Sequence, residues 1–336
     1  MKSIRVAAAL LILPLAACAP AQTTPASVPP DSPAPPVEVV IGMSYIPNIQ
    51  FAPCYVAEAN GMFQDVDAQV TLRHHGSSEG LFTALGAGQE HFVIAGADEA
   101  MQAREQGLDL VAVAPYYQEY PVRIIAPTNK SIATLADLRG QRIGIPGRYG
   151  ESWFGLLVAL QSAGLTEADV EIMEIGYTAS AALATDKVDA VVGFSNNDLV
   201  QFRLAGMDVA ELPITAAGNP PLVGASIITT RSFLDENQEV ARQVVAAIQG
   251  GIRAAAADPA KAVEISGDYV PGMSEQADAA RATLDATLLI MAPTGDPGHL
   301  DADNFAAMAD FLLAAGVLAQ PADAAAAVED LTEVGE

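Results

Sequence analysis

Two acidic residues, Asp98 and Glu151, stand where a predicted strand gives way to a predicted helix. If both carboxylates face one cleft, they favour a ligand rich in hydrogen-bond donors, such as an aminopyrimidine or another N–H-bearing heterocycle, over a sulfonate or nitrate. The other interpretation is that both acids only cap or stabilise the N-termini of their helices. The residue types alone leave both roles open.

Aromatic and short polar side chains recur on the segments around these acids. Aromatic rings offer flat apolar faces, and hydroxyl, amide and carboxyl groups offer hydrogen bonds, so the combination suits a flat heteroaromatic ligand. Aromatic residues at loop edges can equally be lids on the core. The candidate ligand-binding residues are Tyr45, Asn48, Phe51, Ser77, Ser78, Asp98, Tyr117, Tyr149, Glu151, Ser152, Trp153, Ser195 and Asn196.

Residue patterns typical of catalysis or of a metal centre are missing from the sequence. His74 and His75 are adjacent, and on a strand they point to opposite sides, so they do not share a metal. His91 and His299 have no neighbours at ligand spacing. There is also no zinc spacing, no Gly-x-Ser-x-Gly segment and no Walker motif. We therefore predict no catalytic residue, no metal, no cofactor and no enzymatic activity.

Charge and cysteine content narrow the range of partners. The 336 residues carry a formal net charge of -25, which argues against nucleic acid and anionic lipid as partners. Cys18 and Cys54 are the two cysteines. Because Cys18 is predicted to be lipidated, no intramolecular disulfide is expected, and buried packing is the expected role of Cys54.

The N-terminus has the layout of a secretory signal over residues 1–17, with a basic start, a short apolar stretch and small residues before Cys18. The segment Leu15-Ala16-Ala17-Cys18 resembles the bacterial lipobox, which implies lipidation of Cys18. Proline-rich residues 18–37 have almost nothing to bury and are predicted to be a disordered tether. The protein is therefore expected to be exported and lipid-anchored at the extracytoplasmic face of the cell membrane.

The rest of the chain alternates short β runs with helical segments, which indicates a mostly parallel sheet flanked by helices. Lobe one is predicted to comprise residues 38–126 and 222–336, and lobe two residues 127–221. The strand at 225–229 is too isolated to form its own sheet and is predicted to return to lobe one. The chain would then cross a hinge twice, which lets two lobes close over a ligand. Helices are predicted at about 232–257, 260–269, 275–291, 302–315 and 321–332.

Seven short segments carry a resemblance through their order and spacing. They are Tyr45-Ile46-Pro47-Asn48, Gly61-Met62-Phe63, Gly76-Ser77-Ser78, Gly96-Ala97-Asp98, Leu135-Ala136-Asp137-Leu138-Arg139-Gly140, Ile143-Gly144-Ile145-Pro146 and Phe194-Ser195-Asn196. Their order resembles the type II periplasmic binding proteins of ABC importers. The match extends over about residues 39–230 and resembles the family shared by sulfonate-binding, thiamine-pyrimidine-precursor-binding and riboflavin-binding proteins.

This resemblance implies an α/β, two-lobed type II periplasmic binding protein fold with a hinge crossed twice and a helical C-terminal region. It also implies a monomeric, extracytoplasmic solute-binding component that delivers a small heteroaromatic vitamin or vitamin precursor to an ABC permease and its ATPase. The thiamine pyrimidine precursor is favoured and riboflavin is the alternative. Sulfonate and nitrate rank lower for the electrostatic reason above, and a sensing lipoprotein without a transporter is a further alternative.

A pyrimidine-synthesising enzyme also ranks low. The eukaryotic relatives that make the thiamine pyrimidine carry a cysteine-rich motif and a reacting histidine, whereas Cys54 stands alone in the mature region.

Overall fold

The protein contains two five-stranded sheets, each with one antiparallel strand among parallel ones. We describe it from a computed structural model, which covers residues 37–76, 79–215 and 219–332. The first sheet has the order β2 (Ala68–His74), β1 (Val37–Met43), β3 (Phe92–Gly96), β10 (Ala225–Thr230) and β4 (Leu110–Pro115). The second has the order β7 (Glu171–Glu174), β6 (Arg142–Ile145), β8 (Ala190–Phe194), β5 (Val122–Pro127) and β9 (Val209–Pro213).

Helices cover the faces of both sheets. They are α1 (Ala52–Ala59), α2 (Thr83–Gly86), α3 (Ala97–Glu105), α4 (Gly150–Ser162), α5 (Ala179–Ala184), α6 (Asp198–Leu204), α7 (Arg231–Glu236), α8 (Gln238–Ala257), α9 (Pro259–Ser266), α10 (Ala277–Met291) and α11 (Ala302–Ala314). The α/β fold class predicted from the alternation of elements is confirmed. Among the described residues, no helix combines the length and apolar character needed to span a bilayer.

Strand β10 joins the first sheet, as its isolation in the sequence predicts. It lies between β3 and β4 and runs antiparallel to both. All five residues of β3 are buried, which is expected of a strand covered on both faces. The chain therefore leaves the first sheet after β4 and returns to it at β10, and these two connections flank the space between the sheets.

Strand β5 lies in a different sheet from the one predicted. The lobe boundary expected at residue 126 assigns it to lobe one, whereas β5 pairs with β8 and β9 of the second sheet. The chain thus passes between the sheets at residues 116–121. The Pro127-Thr128-Asn129 signal marks a turn inside the second sheet, where a 3-10 helix spans Thr128–Lys130. A short apolar run does not encode which sheet it will join.

The C-terminal region is helical up to α11 but not beyond it. The helix predicted at 321–332 is replaced by one 3-10 turn at Ala325–Ala327 and an extended segment. Val328 bridges to Ala112, and the backbone N–H of Leu331 donates to the Val113 carbonyl at 2.8 Å. Strand β4 is at the end of the first sheet and pairs with β10 along one edge, so its other edge can accept this C-terminal segment. The helix predicted at 232–257 is interrupted at Asn237, between α7 and α8.

Candidate functional site

A cleft with a volume of about 350 Å³ lies between the two sheets, beyond the carboxyl ends of their parallel strands. The first sheet contributes the segments after β1 and β3, and the second contributes those after β6, β7 and β8. The polar and aromatic residues that line it are Ser44, Tyr45, Gln50, Phe51, Glu99, Tyr116, Tyr117, Tyr149, Glu151, Ser152, Tyr177, Phe194, Asn197 and Asp198. This volume lies within the range of about 300–1,000 Å³ that is usual for small-molecule sites.

Three tyrosines at this cleft are unusually exposed for large aromatic side chains. The exposed fractions are 41% for Tyr45, 56% for Tyr149 and 79% for Tyr177. The hydroxyl groups of Tyr149 and Tyr177 lie 3.5 Å apart. Tyr45 follows β1 of the first sheet, while the other two follow strands of the second sheet. Aromatic faces are therefore available to a ligand from both sides of the cleft.

The loop that carries Tyr45 is held in place by hydrogen bonds from beneath. Nδ1 of His74 lies 3.0 Å from the carbonyl oxygen of Tyr45, and Nε2 lies 2.8 Å from the hydroxyl of Tyr55. The Asn48 side chain accepts from the backbone N–H of Gln50 at 3.1 Å and so caps a 3-10 helix. Asn48 does not line the cleft, so its position indicates a structural role.

Three carboxyl side chains meet where the N-termini of α3 and α4 approach each other. A Cβ atom placed on Gly96 would lie 2.6 Å from Oδ1 of Asp98 and 3.0 Å from Oε2 of Glu99. The same point lies 3.3 Å from Cγ of Glu151. Glu99 and Glu151 line the cleft, whereas Asp98 is fully buried behind them and accepts a 2.7 Å hydrogen bond from the Tyr120 hydroxyl. We call Asp98, Glu99 and Glu151 the carboxyl cluster.

Burial raises the pKa of all three acids in the carboxyl cluster. For Glu99 the charge of Asp98 adds to the effect, and for Glu151 the charges of both other acids do. The pKa of Glu151 is raised well above its usual range. Among the described residues, no Lys, Arg or His side chain contributes an opposing charge. Like charges that are close together and shielded from water favour retention of protons, so these acids lose their protons at a higher pH than free carboxyl groups do.

Several predicted site residues lie beside the cleft without lining it. Asn196 is fully buried, and its amide nitrogen lies 3.1 Å from the Thr287 hydroxyl and 3.4 Å from that of Tyr117. Ser195 is fixed by its backbone N–H, which donates to the Pro121 carbonyl at 2.9 Å. Trp153 packs under the guanidinium of Arg148, at 4.8 Å from the ring centre.

Of the predicted residues, Tyr45, Phe51, Tyr117, Tyr149, Glu151 and Ser152 line the cleft. Ser77 and Ser78 lie outside the described residues. Sequence reasoning missed Glu99 and Tyr177, both of which line it. Tyr177 follows the end of β7, so the strand-end rule could have selected it. Glu99 is one position after Asp98, and only the direction of the side chain determines that Glu99 lines the cleft and Asp98 does not.

Other clusters in the described part of the chain offer no alternative centre. No group of three or more His, Cys, Asp or Glu side chains there is arranged to hold a metal ion. Cys54 is buried, and its burial raises the pKa of the thiol to about 12. A thiol in that state is a poor nucleophile because the thiolate is the reactive form.

Comparison with known proteins adds four findings. A family model described as NMT1/THI5 like matches residues 48–262. The chain is 35% identical to the riboflavin-binding protein RibY of Chloroflexus aurantiacus over 94% of this chain and 93% of that protein. It is 27% identical to a formylaminopyrimidine-binding protein of Halalkalibacterium halodurans, over 71% of each chain. Its fold is similar to that of the periplasmic aliphatic sulphonate binding protein SsuA of Escherichia coli, with a TM-score of 0.71 at 18% identity, covering 87% of this chain and 97% of that one.

Proposed function

The chain belongs to the NMT1/THI5-like family, and from that membership we propose that it is the extracytoplasmic solute-binding component of an ABC importer. It captures a small heteroaromatic solute between its lobes and delivers it to a permease driven by an ATPase. We assign residues 38–121 and 222–336 to lobe one and residues 122–221 to lobe two, following the pairing of β5 and β10. The proposal includes no enzymatic step.

The structural observation that best supports this proposal is the set of exposed tyrosines around the cleft. Tyr45 of lobe one and Tyr149 and Tyr177 of lobe two present aromatic faces around one space, with a carboxyl group at its inner end. Closure of the lobes would remove these faces from water against a planar ring, and burial of apolar surface favours such a complex.

Riboflavin is the leading candidate for the solute. The riboflavin-binding relative is more similar to this chain than the formylaminopyrimidine-binding one, and the similarity covers nearly the whole chain. The cleft volume of about 350 Å³ also suits a ligand with several fused rings better than a single pyrimidine. The thiamine pyrimidine precursor is the second candidate, because the carboxyl cluster suits an amino-bearing heterocycle equally well.

A thermal-shift comparison tests this function. At about 100 times its Kd, a ligand of the folded state adds about 2.7 kcal/mol to the free energy of unfolding. For a protein of this size we expect riboflavin to raise Tm by roughly 4 °C. 4-Amino-5-hydroxymethyl-2-methylpyrimidine is the second ligand, and taurine is the sulfonate control. A rise with taurine alone would contradict the proposal.

Membrane anchoring through Cys18 is a separate part of the proposal. The signal at 1–17, the lipidated Cys18 and the tether up to residue 36 lie outside the described residues. The support is the lipobox-like sequence alone. Since two or more acyl chains anchor a protein stably, Cys18→Ser should move the protein from the membrane fraction to the soluble extracytoplasmic fraction without changing its ligand affinity. Retention of the variant in membranes would exclude this anchor.

A further inference from the structure

Glu151 stands at the inner end of the cleft with unused hydrogen-bonding capacity. It lies in the first turn of α4 and lines the cleft. Its Oε1 atom is shielded from solvent and has no hydrogen-bond partner. A polar atom that is buried without a partner costs stability, typically about 1–3 kcal/mol. Such an atom beside an open cleft indicates a group that a ligand completes.

The groups around Glu151 are acidic or phenolic. Asp98 and Glu99 face it from α3, and Tyr117 and Tyr120 face it from the connection between β4 and β5. Tyr120 donates to Asp98 and also lies within hydrogen-bond distance of the backbone carbonyl of Glu151, at 3.2 Å. No basic side chain of the described residues balances this set.

This environment favours the neutral form of Glu151. Two further carboxyl groups stand beside it, and its buried oxygen receives no N–H donor. A carboxylate in an apolar, unpaired position is costly, and protonation removes that cost. A neutral carboxylic acid differs from a carboxylate because it offers one O–H donor beside one carbonyl acceptor.

We infer that Glu151 acts as a neutral carboxylic acid that pairs with a ligand edge carrying an N–H group next to a carbonyl or ring nitrogen. The inference rests on the proposed function and deepens it by naming the recognised edge. The acid donates its O–H to the ligand acceptor and accepts the ligand N–H, so two parallel hydrogen bonds form. The imide edge of a flavin and the amino-pyrimidine edge of a thiamine precursor both have this arrangement.

If Glu151 is a neutral acid, Glu151→Gln is a conservative change for ligand binding. If it were a carboxylate, the same substitution would replace an acceptor with a donor. A carboxamide also carries a donor beside an acceptor, so Glu151→Gln keeps both hydrogen bonds. Glu151→Met has a similar length and removes both, so it weakens binding by about tenfold or more. Glu171→Gln is the matched control, because Glu171 is exposed on β7.

The pH profile gives a second readout. The neutral acid predominates below its raised pKa and is lost as the pH rises through that value, so riboflavin affinity of the unmodified protein falls on the alkaline side. Glu151→Gln lacks this ionisation, so its affinity falls less over that interval. Asp98 and Glu99, whose pKa values burial also raises, ionise in both proteins, as does the flavin at high pH, so the difference between the two profiles reports the charge on Glu151.

The experiment is a fluorescence titration of riboflavin and 3-methylriboflavin with the unmodified protein and the three variants. The expected result is near-equal affinity for Glu151→Gln, a loss for Glu151→Met, and weaker binding of the methylated flavin, which lacks the N–H. Equal losses in Glu151→Gln and Glu151→Met, or undiminished binding of 3-methylriboflavin, would overturn the inference while the solute-binding function stood.

A second ligand distinguishes failure of the flavin assignment from failure of the pairing by Glu151. If riboflavin does not bind the unmodified protein, the flavin assignment fails, and the same variants are titrated with 4-amino-5-hydroxymethyl-2-methylpyrimidine and its dimethylamino analogue. Weaker binding of the analogue, with Glu151→Gln retained, supports the pairing. Equal binding of both pyrimidines, or binding of neither, overturns it.

Discussion

Glu90→Ala is expected to lower the free energy of unfolding by about 3 kcal/mol or more. The Glu90 side chain is completely buried. Its two oxygens each lie 3.0 Å from Nε2 of His75, and Arg73 binds one of them. Removing the acid leaves the buried His75 without this acceptor, whereas the half-exposed Arg73 keeps its pair with Glu79. It also opens a cavity against β1, where a Cβ on Gly42 would lie 2.4 Å from the Glu90 carboxylate.

Urea unfolding at neutral pH measures this loss through the midpoint and slope of the transition. Glu90→Gln is a useful second variant, because it keeps the side-chain volume and one acceptor but removes the charge. Its free energy of unfolding should lie between those of the unmodified protein and Glu90→Ala. The exposed Glu171→Gln should be neutral. A Glu90→Ala transition that coincides with that of the unmodified protein would show that this buried group contributes nothing to stability.

Gly251→Ala is expected to lower the free energy of unfolding by about 1–3 kcal/mol, because atoms of a neighbouring helix already occupy the space of the added methyl group. Helices α1 and α8 pack so closely that a Cβ on Gly251 would lie 2.1 Å from the carbonyl oxygen of Pro53. The same atom would lie 3.0 Å from Cβ of Ala57. A backbone carbonyl in a helix cannot move aside, so the two helices must separate.

The adjacent glycine provides a matched control. A Cβ on Gly250 would meet only the sulfur of Met62, at 3.0 Å, and the end of a methionine side chain can shift. Alanine also favours a helix by up to about 1 kcal/mol over glycine. Gly250→Ala should therefore be neutral or slightly stabilising in the same urea experiment. Equal effects of the two substitutions would contradict the close packing of α1 on α8.

Much of the fold can be predicted from local patterns, because periodicity and glycine stops act within a few residues. These patterns locate α4 and the buried strand β3, and the isolation of β10 predicts its return to the first sheet. The sheet that β5 joins depends on partners far along the chain, so its apolar run alone does not reveal it. The same holds for the C-terminal segment, where pairing of Val328 with the edge of β4 prevails over the helix-forming alanines.

The candidate site is predictable as a set of loops and less so as a set of side chains. The strand-end rule finds the loops of Tyr45, Glu99 and Glu151. It does not reveal that the Asp98 side chain points inward to Tyr120 while that of Glu99 reaches the cleft. It also does not reveal that the Asn48 side chain accepts a hydrogen bond from the backbone of its own loop. Side-chain direction depends on packing across the two lobes, which no local pattern encodes.

Equilibrium titration of riboflavin with the purified protein is the decisive measurement of solute binding. We expect saturable quenching of flavin fluorescence at one flavin per protein, with a Kd below about 1 µM, which corresponds to about -8 kcal/mol. Stacking of the flavin ring against the cleft tyrosines is the expected cause of the quenching. Absence of saturable binding by riboflavin and by the pyrimidine precursor, together with saturable binding of a sulfonate, would contradict the proposed function.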